Sequence, residues 1–269
     1  MNNPRRIAAV FTATITLFFG CSRSAEIPIE IPFTPVLSGL NVSCQVAPSG
    51  FSLHDLRFYV HDVALIDAAG VISPVSLTPD DVWQTEQVAL LDFENGSDGC
   101  SEGTVGTHGA IVGRVKQGDY TGLRFTLGIP FDLNHANPAE AVAPLNLGRL
   151  HWGWQAGYKF LRLEASASDG DFRFHLGSTG CEGTIGHITS CARPNRAVVE
   201  VENFAPGKSI DIDLTTLVQT PAAHPKENDA VSCMSDIDSG SCREPFRLIG
   251  LDLATGAALP QQLLFKVRS

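Results

Sequence analysis

The sequence predicts an all-β fold, namely an antiparallel β-sandwich with long loops, few short helices and disulfide bonds that staple the loops. Three observations predict it. Short runs alternate apolar and polar residues with a period of two, which is typical of half-buried strands. Turn-forming residues separate these runs, and the chain contains 25 glycines and 16 prolines. Helical periodicity is hard to find, so an antiparallel sandwich is favoured.

Five segments carry the clearest alternation. They are Leu56–Val60, Gln87–Leu91, Leu123–Leu127, Phe172–Leu176 and Ile210–Leu214. Two short helices are also expected. One begins near Asp213 and Leu214, and the other covers Asn137–Val142, with Asn137 as its cap and Pro138 in its first position.

The N-terminus predicts an export signal. Arg5 and Arg6 precede an apolar run that is shorter than the roughly 20 residues a membrane-spanning helix needs. The pattern is typical of a bacterial lipoprotein, in which residues 1–20 form the signal peptide, Cys21 carries the lipid and residues 21–30 form a tether. Ordinary signal cleavage nearby stays open, because Phe18 stands where leucine is more usual. Residues 31–269 are expected to form one β-sandwich domain.

The net charge of −10 argues against one class of partner. Asp and Glu number 29 against 19 Lys and Arg, so the chain lacks the positive charge that nucleic-acid binding needs. We expect no nucleic-acid partner, and contact with a membrane only through the lipid anchor. The expected location is the periplasm or the outer-membrane surface.

Six cysteines remain after Cys21, an even number that predicts three disulfides in an exported chain. Six cysteines can pair in many ways. Sequence spacing suits two local pairs, Cys181 with Cys191 and Cys233 with Cys242, which leaves Cys44 with Cys100. Zinc is the competing interpretation, but structural zinc sites usually place paired cysteines closer together in sequence.

Two motifs look catalytic or phosphate-binding but lack a required residue. The Gly-Lys-Ser run at 207–209 has Glu202 where a phosphate-binding loop needs its first glycine. The run at 177–180 has Leu176 where a hydrolase nucleophile elbow needs glycine. We therefore expect no catalytic residue, and the protein is predicted not to be an enzyme.

Three of the eight histidines are predicted metal ligands because of their contexts. His135 lies in a loop between prolines, where it can be presented on a rigid scaffold. His175 ends a strand whose apolar residues face the core, so its ring should point to the other face. His151 precedes a pair of tryptophans, Trp152 and Trp154. Imidazole suits zinc, copper, nickel and iron alike, so histidines alone do not choose the metal.

Sulfur ligands are scarce in this chain. Its mature part has one methionine, Met234, which argues against a thioether-rich carrier of Cu(I). A blue-copper site needs a thiolate, and Cys181 is better assigned to a disulfide.

Many separate segments occur in the order seen in one protein family. They are Asp55–Val60, Leu90–Gly96, Leu127–Pro130, Asn134-His135, Pro144–Asn146, His151–Trp154, Gly157–Phe160, Phe172–His175, Gly177–Cys181 and Pro194-Asn195. Together they resemble the MbnP family of periplasmic copper-binding proteins. The resemblance implies a bound copper ion and oxidation of Trp152 or Trp154 to a kynurenine that supports copper binding. It also implies a partner, a di-haem cytochrome c peroxidase-like enzyme of the MbnH or MauG type.

One position departs from the family pattern. Related sequences commonly have Met-x-Trp-x-Trp, and here Leu150 stands in the methionine position with His151 next to it. If residues 150–154 form a strand, Leu150, Trp152 and Trp154 share one face and His151 points away from them.

The sequence therefore predicts a protein for copper acquisition, storage or delivery, with His135, His175 and His151 as candidate ligands. Tyr158, Arg173 and Asn134 are candidates to orient that site. Two alternatives remain: a metal-free β-sandwich module that binds an extracellular glycan or protein, and a copper-dependent oxidase.

Overall fold

The computed structural model describes residues 25–101, 103–168, 170–219 and 231–268. The predicted signal peptide at 1–20 and the lipidated Cys21 lie outside these residues and stay predictions. None of the helices in the described ranges is long and apolar enough to cross a membrane.

One of the two main sheets is built on a long N-terminal strand. Its six strands are β1 (Glu26–Leu37), β2 (Leu40–Asn41), β5 (Ser76–Leu77), β7 (Ala110–Lys116), β16 (Ile210–Asp213) and β18 (Phe265–Val267). The order is β18-β16-β1-β7-β5, with β2 beside β1. Strands β1 and β16 run parallel, and the other pairings are antiparallel.

The second main sheet is built on the longest strand. Its eight strands are β3 (Phe51–Asp67), β4 (Ile72–Pro74), β6 (Ala89–Asp92), β8 (Tyr120–Leu127), β11 (Leu161–Ala167), β12 (Gly170–Leu176), β15 (Ala197–Glu202) and β17 (Val231–Cys233). The order is β15-β8-β3-β11-β12-β17, and β4 and β6 also pair with β3. Only β12 and β17 run parallel in the described part of this sheet.

Two small hairpins and a few helices complete the described structure. The hairpins are β9 (His151–Gly153) with β10 (Gly157–Tyr158), and β13 (Thr179–Thr184) with β14 (His187–Arg193). The α-helices are α1 (Phe131–Asn134), α2 (Thr215–Gln219) and α3 (Arg243–Leu248), and 3₁₀ turns cover Asp98–Cys100, Gly148–Leu150 and Gly240–Cys242.

The two sheets enclose an apolar core in which four phenylalanines meet edge to face. Phe33 and Phe265 come from the six-stranded sheet, and Phe58 and Phe125 come from the eight-stranded sheet. The ring centroids of Phe33 and Phe125 are 5.9 Å apart, and those of Phe58 and Phe265 are 5.5 Å apart. Such pairs contribute beyond the area that they bury. The sandwich architecture predicted from alternation is therefore confirmed, as are the five predicted strands.

Two sequence-based expectations differ from the structure. Strand β1 begins at Glu26, so residues 26–30, assigned above to the tether, pair with β7. The helix expected over Asn137–Val142 is wrong. The Asn137 side chain does accept the backbone N–H of Ala139 at 3.1 Å, as a cap would, but the segment forms only a turn with backbone bonds from Glu140 to Asn137 and from Ala141 to Pro138. Val142 is 69% exposed, so little apolar burial stabilises a longer helix here. The helix expected near Asp213 is α2, whose Thr215 N–H bonds to the Asp213 carboxylate at 3.0 Å.

The three disulfides join the pairs that sequence spacing favours. Cys44 bonds to Cys100, Cys181 to Cys191 and Cys233 to Cys242. The Cys181–Cys191 bond crosses between paired positions of β13 and β14. The Cys233–Cys242 bond joins β17 to a 3₁₀ turn, and the Cys44–Cys100 bond joins the loop before β3 to the 3₁₀ turn at Asp98–Cys100. All four of these cysteines are buried.

Asp92, at the end of β6, has a buried carboxyl group whose hydrogen-bonding capacity is only partly satisfied. Its Oδ1 accepts the Glu94 N–H at 3.1 Å, while its Oδ2 has no hydrogen-bond partner among the described residues. Burial raises the pKa of Asp92 to about 7, although the nearby Arg57 charge acts in the opposite direction. The unfolded chain loses this proton near pH 4, so the free energy of unfolding should fall as pH rises from about 4 to about 7.

Replacing Asp92 by asparagine should remove that pH dependence while keeping the acceptor for Glu94. The fall in the free energy of unfolding between about pH 5 and about pH 8 should be about 1–3 kcal/mol smaller for D92N than for the wild type. Urea unfolding at the two pH values measures this, with the exposed Asp119→Asn as control. Parallel pH profiles for D92N and the wild type would contradict the expectation.

Candidate metal centre

Four segments meet around the predicted site, and Asn134 fastens two of them together. Asn134 ends α1 and is 1% exposed. Its Oδ1 accepts the Tyr158 N–H at 2.9 Å and its Nδ2 donates to the Ala156 carbonyl at 3.1 Å. Gly157 has φ +79°, and a Cβ there would lie 2.4 Å from Asn134 atoms. Glycine is therefore required at position 157, where the β9–β10 hairpin lies against Asn134.

Trp152 lies on β9, half-buried against the end of β12. Its ring centroid is 6.3 Å from that of His175, with an angle of 69° between the planes. A Cβ at Gly177 would lie 2.8 Å from a carbon of this indole. The indole therefore packs directly on the backbone at Gly177, and its position depends on that glycine. Among the predicted residues, this is the tryptophan that the structure places beside a predicted ligand.

His175 lies on the face of β12 opposite to its core phenylalanines, as predicted. It is 7% exposed, and its Nε2 is 2.7 Å from Oε1 of Glu164 on β11. This hydrogen bond is the largest of the effects that hold the pKa of Glu164 well below its usual range. Because Nε2 is engaged with Glu164, Nδ1 is the ring nitrogen left for a metal.

Glu164 belongs to a chain of charged side chains across the outer face of the eight-stranded sheet. Arg162 Nε lies 3.0 Å from Glu164 and 3.1 Å from Asp55. Arg57 Nη2 lies 2.5 Å from Asp55, and its Nη1 lies 3.2 Å from Glu94. Alternating charges satisfy each other here, so the carboxylate that holds His175 is itself held in place.

His151 lies on β9 next to Trp152 but contacts a different group. Its ring lies edge to face with Tyr158 at a centroid distance of 5.0 Å. Burial lowers the pKa of His151. Strand β9 covers only residues 151–153, so Leu150 lies in a 3₁₀ turn and is fully buried, while Trp154 lies in the hairpin turn and is 44% exposed.

His135 follows α1 and faces the disulfide of the other hairpin. Its Nε2 accepts from Asn134 Nδ2 at 3.1 Å and lies 3.4 Å from Cys191 Sγ. Its Nδ1 is buried and has no hydrogen-bond partner among the described residues. Burial lowers the pKa of His135, and the Arg196 charge lowers it further.

The three predicted histidines do not form one compact group. In the described residues, one set of three potential His, Cys, Asp or Glu ligand atoms lies within 4.8 Å of one another, and it consists of His135, Cys181 and Cys191. His175 and Trp152 form a second, separate pairing. Among the described residues, His151 has no side-chain hydrogen bond or ring contact with either group.

A model of the MbnP family matches residues 26–235, which is more than half of the chain. The chain belongs to the MbnP family. Among solved structures it is similar to MbnP from Methylosinus trichosporium, with a TM-score of 0.75 and 31% sequence identity. That match covers 90% of this chain and 98% of the other. No curated protein matches the chain.

Two residues of this MbnP-family protein were missed by sequence reasoning. Glu164 was missed because it lies on β11 and reaches His175 on the neighbouring strand β12, a contact that the sequence does not show. Met234 was considered only as evidence against a thioether-rich carrier, and it directly follows Cys233, which pairs with Phe174 in parallel register. Ser235 Oγ, one residue further, donates to the His175 carbonyl at 3.0 Å.

Proposed function

We propose that this MbnP-family protein binds one copper ion beside His175 and residue 152, after Trp152 has been oxidised to kynurenine by a di-haem partner enzyme. The observation that carries the proposal is the placement of the Trp152 indole against His175 and Gly177. Kynurenine has an aromatic amine and a ketone where tryptophan has an indole, so it offers new nitrogen and oxygen donors at that position.

The residues around Trp152 fit a copper ion. Imidazole is a ligand that copper accepts, and the Glu164 contact orients the His175 ring by its other nitrogen. Met234 directly follows Cys233, whose strand pairs with β12, and we propose its thioether, which suits Cu(I), as a further donor. These features support a site that combines imidazole, kynurenine and thioether donors.

Trp152 is favoured over Trp154 as the oxidation target. Trp152 is half-buried and lies beside His175, whereas Trp154 is 44% exposed at the hairpin turn. A kynurenine at 152 would keep its new donors next to an imidazole, while one at 154 would hold them in a solvent-exposed turn.

The other two predicted ligands have different roles in this proposal. His151 faces Tyr158, so it is not assigned to the copper ion in this proposal. His135 faces the Cys181–Cys191 disulfide, so it is not assigned to the copper ion.

The biological role that follows is copper acquisition, storage or delivery in the periplasm or at the outer-membrane surface, without catalytic turnover. The copper ion would be held by the chain's own residues, and it would be taken up or passed on by exchange of its ligands. The exposed Trp154 favours a second candidate, a metal-free module that binds a glycan or protein through this aromatic surface.

Expression with and without a di-haem partner tests the proposed function. We expect copper to remain bound through dialysis against a chelator only in protein matured with the partner, because only that protein contains the kynurenine donors. Copper content and the mass of the mature chain measure this. Equal copper retention without the partner would contradict the kynurenine requirement, and no retention in either case would favour the metal-free module.

A further inference from the structure

We propose that the Cys181–Cys191 disulfide can be reduced and that its two thiolates then form, with His135, a second metal site for a soft d¹⁰ cation such as Cu⁺ or Zn²⁺. This site is separate from the copper site proposed at residue 152. It is a three-ligand, thiolate-rich site, which leaves one position open on a tetrahedral ion.

The geometry already brings the three donors together. Cys181 and Cys191 are paired positions of β13 and β14, and their sulfurs lie with a His135 nitrogen inside a 4.8 Å group. Cys191 Sγ is 3.4 Å from His135 Nε2. Donor atoms on one tetrahedral metal ion with bond lengths of about 2.0–2.3 Å lie about 3.3–3.8 Å apart, so this spacing suits a shared ion.

Asn134 determines which ring nitrogen of His135 carries the lone pair. Asn134 Nδ2 donates to His135 Nε2 at 3.1 Å, which requires a lone pair on Nε2 and places the proton on Nδ1. A metal ion needs that same lone pair. Asn134 Nδ2 also donates to the Ala156 carbonyl at 3.1 Å, so it keeps a partner when an ion takes its place.

Access distinguishes this disulfide from the other two. Cys191 is partly exposed on a hairpin outside both main sheets, and Cys181 is 5% exposed. Cys233 and Cys242 are fully buried, and Cys100 and Cys44 are 1% and 8% exposed. A reducing thiolate must reach a sulfur atom in line with the bond, so we expect attack at the sulfur of Cys191, the more exposed of the two residues.

The reduction uses a dithiol as the co-reactant. One thiolate of the dithiol attacks Cys191 Sγ, a mixed disulfide forms, and Cys181 leaves as a thiolate. The second thiolate of the dithiol then attacks the mixed disulfide and releases Cys191 as a thiolate. Two electrons pass from the dithiol, which becomes a cyclic disulfide, and its two protons are left to the protein thiols or to solvent. Metal binding releases any protons on the two cysteines.

Limited reduction followed by cobalt titration tests this proposal. The wild-type chain, made without any partner enzyme, is treated briefly with a dithiol, and free thiols are mapped by alkylation and peptide mass spectrometry. We expect alkylation first at Cys181 and Cys191. Co²⁺ is then the probe, because a thiolate-to-cobalt charge-transfer band in the near ultraviolet reports sulfur ligation. The band should appear after reduction and be absent before it.

Variants assign the ligands. His135→Ala should weaken Co²⁺ binding by about tenfold or more. His187→Ala is the matched control, because His187 is exposed on the same hairpin and should leave the affinity unchanged. The Cys181→Ser/Cys191→Ser double variant should show no charge-transfer band. The Trp152→Phe variant should keep the site, which separates this test from the copper proposal.

Several results would overturn the proposal. These are earlier alkylation of either buried disulfide, no sulfur-to-cobalt band in the reduced protein, or equal affinity in His135→Ala and the wild type. Loss of the near-ultraviolet circular dichroism of the folded chain when only this bond is reduced would also overturn it, because the site needs an intact hairpin.

Discussion

Replacing His175 by glutamine is expected to weaken copper binding by the matured protein by at least about a hundredfold, since it removes a proposed ligand. The imidazole Nδ1 is the proposed donor, and glutamine offers no comparable nitrogen lone pair. Glutamine can still donate to Glu164, so the charged chain across the outer sheet face keeps its contact at this end. Competition with a Cu(I) chelator measures the change in affinity.

Matched variants separate ligand loss from a general loss of structure. His187→Gln changes an exposed histidine on the β13–β14 hairpin and should bind copper as the wild type does. Met234→Leu removes the proposed thioether donor with little change of volume, and it should weaken binding less than the loss of His175. Wild-type affinity in the His175 variant would exclude His175 as a ligand.

Replacing Trp152 by phenylalanine is expected to abolish both kynurenine formation and chelator-resistant copper binding. Phenylalanine keeps an aromatic ring against Gly177 but cannot be converted into an amine donor. The chain should stay folded, since Trp152 is half-buried and lies outside the phenylalanine core between the sheets. Peptide mass spectrometry and copper content of protein made with the partner measure the two effects.

Trp154→Phe is the matched control for that variant. Its indole is exposed at the hairpin turn, so its loss should leave kynurenine formation at residue 152 and copper content unchanged. The reverse pattern, with copper lost in Trp154→Phe and retained in Trp152→Phe, would show that the assignment of the two tryptophans is inverted.

The sandwich could be predicted because alternation along a strand records which face is buried. Strand β12 shows this well: Phe172 and Phe174 are buried in the core, while His175 lies on the other face and reaches Glu164. Strand β1 was not among the predicted strands, and its first residues were assigned to the tether; Pro28 and Pro32 lack a backbone N–H, which is unusual within a sheet. Its pairing with β7 could not be read locally.

The candidate site was only partly predictable, because its remaining members are brought in by long-range register. Glu164 reaches His175 from a neighbouring strand, and Cys233, the residue before Met234, pairs with Phe174 in a parallel register that the local sequence does not indicate. His135 lies far in sequence from Cys191, and only the fold shows that they touch. Residue types alone therefore identified candidates but could not sort them into sites.

Peptide mass spectrometry with metal analysis, on mature protein isolated from its native periplasm, tests the central claim most directly. We expect bound copper together with kynurenine at residue 152 and an unmodified tryptophan at residue 154. Copper bound to a chain in which Trp152 is unmodified, or a kynurenine at 152 without copper, would contradict the proposed link between that oxidation and the metal site.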